Sequence, residues 1–321
     1  MSNARKRPSK KRRKRRNFRV SPWVLLFIVG LAAILVYAWR TNPDIVQDVT
    51  NWVRNGWGDF FDNNEPIVIP DGEAIIHFID VGQGDAVLIQ TSNGNMLIDG
   101  GDIGLGDRVL AYLRFAGVSR FDYVIATHPH ADHIGGLVDV INTLPIGTLI
   151  MPPVAHTTRI FERFLDAIEN NGVNLREPIA GDRYALGEGG FTIIAPNSSG
   201  YANLNDYSVS LRFDFGANSF IFTGDAERIS ENEMIAAGHN LRADVLHIGH
   251  HGSHTSTTRN FLNAVRPNIA VISVGESNSH GHPHDVVMNR LNNADLRIYR
   301  TDHHGNITIT TNGENLWVNY E

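Results

Sequence analysis

From residue 73 to the end of the chain, short apolar runs alternate with turn-forming stretches and with segments of helical spacing. AIIHFIDV (74–81), DAVLIQT (85–91) and NMLIDGG (95–101) predict three strands in quick succession, because runs of this length bounded by Gly, Asp or Asn suit a buried pleated surface. GDRVLAYLRFAG (106–117) has helical spacing and stops at a glycine, and FDYVIATH (121–128) predicts a buried strand running directly into histidines. Strand signals recur at 191–195, 208–215, 219–223, 243–248, 269–274, 296–301 and 306–310, with helices at 158–170, 229–237, 258–265 and 285–292. Two strand-rich halves with interspersed helices predict a layered α/β sandwich over 73–321, helices outside two sheets.

The pattern upstream is different. Residues 21–39 carry no charge, and at about 1.5 Å of rise per residue they nearly span a bilayer core of roughly 30 Å. One transmembrane signal anchor is expected there, with Trp23, Tyr37 and Trp39 near its ends. Residues 1–20 hold 11 Lys/Arg and no acid, forming a basic tail whose run 5–16 suits anionic lipid headgroups. The positive-inside rule places that tail in the cytoplasm and everything after Arg40 outside, so the expected protein is single-pass in the cell membrane with an extracytoplasmic domain. A cleaved signal peptide and a nucleic-acid-binding basic arm are the competing readings. Residues 40–72, rich in turn chemistry, predict a linker. Without the tail, 17 basic residues stand against 34 acidic ones, a balance opposed to strong non-specific affinity for a long polyanion.

Cysteine is absent, so any bound metal must rest on imidazole and carboxylate. Of the 15 histidines, ten fall in three short segments. The densest is His128-Pro129-His130-Ala131-Asp132-His133, followed by a Gly-Gly pair, at the end of a strand. Two histidines one residue apart on a turn can aim at one metal, and the Asp-His pair that begins the next helix can aim at a second. A His-rich solvated loop is the bland alternative, but crowded imidazoles gain nothing structurally.

HxHxDH followed by Gly-Gly resembles the signature of the metallo-β-lactamase fold superfamily. FIDVGQGDA (78–86), LIDGG (97–101), NDYSVSLRF (205–213), FTGD (222–225), HIGHHGS (247–253), SVGESNSHGHPH (273–284) and IYRTDHHGNITI (298–309) resemble, in order, the metallo-β-lactamase-like domain of the ComEC family of DNA-uptake proteins. The resemblance implies an αββα four-layer sandwich and two divalent ions, Zn or Mn. It implies His128 and His130 on the first ion, Asp132 and His133 on the second, and Asp225 bridging them. His250 is the preferred remaining ligand of the second ion, with His251 as competitor. The superfamily's usual third histidine of the first site is missing. His156 falls too early in the chain, and the expected position lies near 203–208, where Asn205 and Ser208 stand. An oxygen ligand or water would then complete that site and make Mn²⁺ competitive with Zn²⁺. Asp80, Asp85 and Asp99 are expected to order loops beside the site, or merely to cap turns. His282 could approach the substrate or a metal and Ser253 and His254 could line the pocket, whereas His303 and His304 should be solvated in a hairpin-like turn.

The expected function is a metal-dependent hydrolase, a phosphodiesterase or nuclease using a metal-activated hydroxide, with Asp132 and Asp225 as its catalytic carboxylates and single-stranded DNA among its candidate substrates. With only one span, the chain is expected to be a hydrolase and not an uptake channel. The rival readings are hydrolysis of another ester, such as a cell-wall phosphodiester or a lactone, and a non-catalytic metal-stabilised scaffold at the membrane. The sequence is silent on oligomeric state.

Overall fold

The computed structural model describes residues 69–321. The basic tail, the expected membrane span and nearly all of the linker lie outside the described residues; among these, no helix is long and apolar enough to cross a membrane.

The described chain runs β1 (Ala74–Phe78), β2 (Val87–Thr91), β3 (Gly94–Ile98), α1 (Gly106–Phe115), β4 (Phe121–Ile125), α2 (Ala131–Ile134), α3 (Leu137–Thr143), β5 (Ile146–Ile150), α4 (Arg159–Asn170), β6 (Leu175–Arg176), β7 (Arg183–Leu186) and β8 (Gly189–Ala195). It continues through β9 (Ser210–Phe215), β10 (Asn218–Phe222), α5 (Arg228–Ala236), β11 (Val245–His247), α6 (Arg259–Val265), β12 (Ile269–Ile272), α7 (Asp285–Asn292), β13 (Arg297–Arg300), α8 (Thr301–His304), β14 (Ile307–Thr311) and β15 (Leu316–Tyr320). One sheet has the order β15-β14-β1-β2-β3-β4-β5-β6 and the other β13-β12-β11-β10-β9-β8-β7.

The period-2 alternation of the strands explains the layering. Val87, Ile89, Met96, Ile98 and Ile125 meet Phe213, Phe220, Phe222, Val245 and Val271 between the two sheets. Their chain neighbours Leu88, Leu97 and Val124 face the opposite way, onto α1, α3 and α4 through Leu113, Leu137 and Phe164. In the second sheet Ile221, Leu246 and Ile272 face α5, α6 and α7 through Met234, Phe261 and Leu291. Strands buried on both faces are apolar at nearly every position, which is why they read as continuous runs. Each fully buried Phe of the inter-sheet layer contributes roughly 1.5–3 kcal/mol of burial free energy. The expected αββα sandwich is therefore the observed architecture.

Each sheet begins antiparallel and turns parallel. β3, β4, β5 and β6 pair in parallel in the first, and β10, β11, β12 and β13 in the second. The carboxyl ends of these parallel strands carry LIDGG, HPHADH, TGD and GHHGS, and Val209 N–H donating to the Thr127 carbonyl (2.9 Å) ties the two sheets together there.

Several elements depart from the sequence expectation. β5, β6, β7, β15 and α3 had no predicted counterpart. Pro145 and Gly147 interrupt the signal of β5, where glycine is needed because a Cβ at 147 would lie 2.8 Å from the Asp122 carbonyl. β15 is an edge strand, half-exposed, without the apolar run of an interior strand. Residues 301–304 form the short helix α8 in place of the expected hairpin-like turn, and Thr301 Oγ binds the backbone of Val274 at 2.8 and 2.9 Å.

Candidate metal centre

Asp225 follows β10 in the turn Thr223-Gly224-Asp225 and is buried, 2% exposed. Four imidazoles face its carboxylate through Nε2, two to each oxygen. Oδ2 lies 3.6 Å from His128 and 3.5 Å from His250. Oδ1 lies 3.3 Å from His133 and 3.7 Å from His251. His130 joins the first set, its Nδ1 2.9 Å from His128 Nε2. Asp132 joins the second, its Oδ2 3.3 Å from His251 Nε2 and 3.8 Å from His133 Nε2. Among the described residues, the ligand atoms of His128, His130 and Asp225 lie within 4.8 Å of one another, as do those of Asp132, His133 and His251 and those of Asp85, His133 and Asp225.

The opposite edge of each ring is held. His133 Nδ1 donates to Asp99 at 2.8 Å, and Asp99 also takes the Thr127 N–H (2.8 Å) and hydroxyl (2.7 Å). With its own proton committed to Asp99, Thr127 Oγ1 can accept from His128 Nδ1 at 3.1 Å. His251 Nδ1 donates to the Ser273 carbonyl at 3.0 Å, with Asp85 Oδ1 at 3.3 Å. His250 Nδ1 has Thr255 Oγ1 at 3.2 Å and Glu227 Oε1 at 3.4 Å. Acceptors on Nδ1 keep the proton there and leave Nε2 a free lone pair, the arrangement of metal-binding histidines.

A test of fit is available in the unpaired atoms. His133 Nε2, His251 Nε2 and Asp225 Oδ1 are buried and make no hydrogen bond. A buried polar atom left in this state costs about 1–3 kcal/mol, so three converging on one space would be a large defect unless a cation fills it. Two lone pairs and an anion suit a divalent ion, and a donor set of imidazole and carboxylate suits Zn or Mn. Electrostatics point the same way. Burial alone would raise the Asp225 and Asp132 carboxyls, but His133 and its neighbours hold both well below the ordinary carboxylate range. Burial opposes a charge on His133 and His251, yet the carboxylates around them push both imidazoles well above their usual value. The cluster is built to hold positive charge.

Local sequence explains how these side chains converge. His130 is extended (φ −73°, ψ 151°), so the chain turns into α2 with Asp132 and His133 in its first turn. Gly136 lets α2 and α3 pack on LIDGG: a Cβ there would lie 2.1 Å from the Gly100 carbonyl. Ser208, buried, takes the Asp225 N–H (3.1 Å) and lies 3.4 Å from His128 Nδ1.

His251, not the preferred His250, groups with Asp132 and His133. Both residues have left-handed backbone (φ +52° and +54°), and this sends adjacent side chains to different oxygens of Asp225, an outcome the sequence does not display. Asp80 stays out of the cluster, capping Gly82 N–H (2.9 Å) and pairing with Arg108 (2.7 Å). Asn205 reaches Glu227 (3.1 Å) and His250 (3.4 Å). Ser253 closes the histidine turn by donating its N–H to the His250 carbonyl (2.8 Å). His282 stacks edge-on to His250, centroids 5.5 Å apart, and His254 packs on His284. His156 lies 5.7 Å from the His130 ring without joining a group. His303 is exposed, whereas His304 is half-buried: its Nδ1 sits against the Arg300 backbone and its ring on Tyr320. Glu227 and Thr127 escaped the sequence analysis; an acid two residues past the TGD turn was the only signal for the former.

Residues 79–276 match the Metallo-beta-lactamase superfamily. This chain belongs to that superfamily. It is 32% identical over 260 residues to ComE operon protein 3 of Bacillus subtilis (strain 168), covering 75% of this chain and 33% of that protein. It is 33% identical over 237 residues to Recombination protein 2 of Haemophilus influenzae, covering 72% and 28%. The chain thus spans about a third of the length of the curated relatives it matches. CmlA, a diiron β-hydroxylase from Streptomyces venezuelae, shares the fold with a TM-score of 0.50 at 15% identity, over 76% of this chain and 55% of that one. Within the metallo-β-lactamase superfamily, the relationship to ComEC proteins read from the ordered motifs holds.

Proposed function

We propose that this chain is a two-metal phosphodiesterase, with Asp225 bridging the ions, His128 and His130 on the first, and Asp132, His133 and His251 on the second. The observation that carries the reading is the division of the Asp225 carboxylate between two imidazole sets, with unpaired buried atoms facing the space between. Ions held there would polarise a phosphoryl oxygen and supply a water of near-neutral pKa. Asp132, partly exposed and with its Oδ2 beside the unpaired Nε2 atoms of His251 and His133, is the carboxylate placed to orient the attacking water. Asp99 and Asp85 fix the rings of His133 and His251 and move no proton. A phosphodiester is favoured because one relative is named Recombination protein 2 and the ordered motifs are those of the ComEC family of DNA-uptake proteins, both of which point to DNA. The proposed setting is a single-pass membrane anchor with the domain extracytoplasmic.

The test uses the full chain in detergent with Mn²⁺ or Zn²⁺, assayed on single-stranded DNA, bis-p-nitrophenyl phosphate and a lactone. Asp225→Asn and Asp132→Asn should each lower phosphodiester kcat/KM by about 10²-fold or more, with circular dichroism unchanged. His303→Ala should leave it nearly intact. Equal behaviour of Asp225→Asn and His303→Ala would show that the chemistry lies elsewhere, and turnover of the lactone alone would replace the phosphodiester reading.

A further inference from the structure

We propose that His250 is a ligand of the first metal position, completing it from the turn after β11, and that Glu227 and Asn205 hold it in place. The inference rests on the two-ion reading and extends it. The second position has four donors: Asp132, His133, His251 and Asp225 Oδ1. The first has only His128, His130 and Asp225 Oδ2, one short of a four-coordinate site. The imidazole that approaches that same oxygen is His250, at 3.5 Å, against 3.6 Å for His128. It arrives over Asn205, whose amide lies 3.4 Å from its Nδ1, in the stretch 203–208 where the superfamily's usual third histidine would fall.

Two further observations set it apart from a surface histidine. The Thr255 hydroxyl at 3.2 Å and the Glu227 carboxylate at 3.4 Å lie against its Nδ1, and Asn205 donates to that same carboxylate oxygen at 3.1 Å, so Nε2 is the nitrogen turned inward to Asp225. Its backbone is left-handed, which costs a non-glycine residue on the order of 1 kcal/mol, and His251 beside it is left-handed too. His250 N–H donating to the Gly224 carbonyl (3.0 Å) and Ser253 N–H donating to the His250 carbonyl (2.8 Å) hold this conformation against the TGD turn. The strained pair is what lets consecutive residues reach both oxygens of one carboxylate. The first position then has three imidazoles and one carboxylate, a softer set than the two imidazoles and two carboxylates of the second, so it favours Zn²⁺ where the second accepts Mn²⁺.

The test strips the full chain in detergent of metal and titrates it with Co²⁺, following visible absorption and calorimetry. The unmodified chain should bind two ions. His251→Ala should leave the first position as the stronger one, and adding His250→Ala to it should weaken that ion at least tenfold and change its spectrum, with both restored by free imidazole. Glu227→Gln in the His251→Ala background should weaken the same ion several-fold while the fold persists. His254→Ala should change nothing. Should the His250→Ala/His251→Ala chain keep the affinity and spectrum of its parent, or should His250→Ala alone deplete the second position, the assignment is overturned while the two-ion reading stands. No Co²⁺ bound by the unmodified chain would overturn both.

Discussion

Asp99 lies behind the cluster, buried and with left-handed backbone (φ +58°), and through hydrogen bonds it aims two histidines: His133 directly and His128 by way of Thr127. Its influence is testable with little structural damage, because asparagine tolerates the left-handed region and keeps one acceptor oxygen. Asp99→Asn removes the charge that holds the Nδ1 proton of His133, so second-position metal affinity should fall about tenfold or more. Competition with a chromogenic chelator measures this. Affinity equal to that of the unmodified chain would reduce Asp99 to a turn cap, the alternative that the sequence left open. Asp80 illustrates the opposite result: its neighbours Gly82 and Arg108 make it the turn-ordering residue that its Gly-rich context suggested.

At the scale of elements, Glu231 in α5 caps α6 by accepting the Thr258 N–H at 2.9 Å. Burial pushes its carboxyl up to about 7, against 4.5 for an ordinary glutamate. Between those values the folded chain keeps a proton that the unfolded chain releases, so this group makes stability fall as pH rises through that window and adds no slope above it. The full effect is on the order of 3 kcal/mol. Glu231→Gln keeps the cap and removes the titration, so its advantage in thermal unfolding over the unmodified protein should grow from pH 5 to pH 8. A constant difference across that range would mean that Glu231 stays ionised in the folded protein. Elements legible in the sequence were those with a regular apolar period: α1, α4, α5, α6, α7 and the doubly buried strands. β6 and β7 went unseen because their residues are largely exposed, so pairing alone makes them strands.

For the whole molecule, the uneven charge of the sequence is the property with a testable consequence. If residues 21–39 span the membrane behind the tail of 11 basic residues, protease added to intact cells should digest the domain and spare the tail. Resistance of the domain until the membrane is opened would reverse the orientation. This measurement bears on residues outside 69–321, and the geometry of the histidine and aspartate cluster is independent of it.

The sequence by itself determined the layered fold and most of the cluster, because the strand and helix periods are local, and because HPHADH places four candidate ligands within six residues and TGD adds Asp225 at a strand end. Only the tertiary structure decided the division of labour in GHHGS. Which of two adjacent histidines reaches which carboxylate oxygen depends on two left-handed residues and on a turn pinned to Gly224, 26 residues away. The same holds for Glu227, Thr127 and Asn205, whose partners come from other strands and loops. A side chain that acts by holding another has no signature of its own in the chain; its role exists only once folding brings the two together.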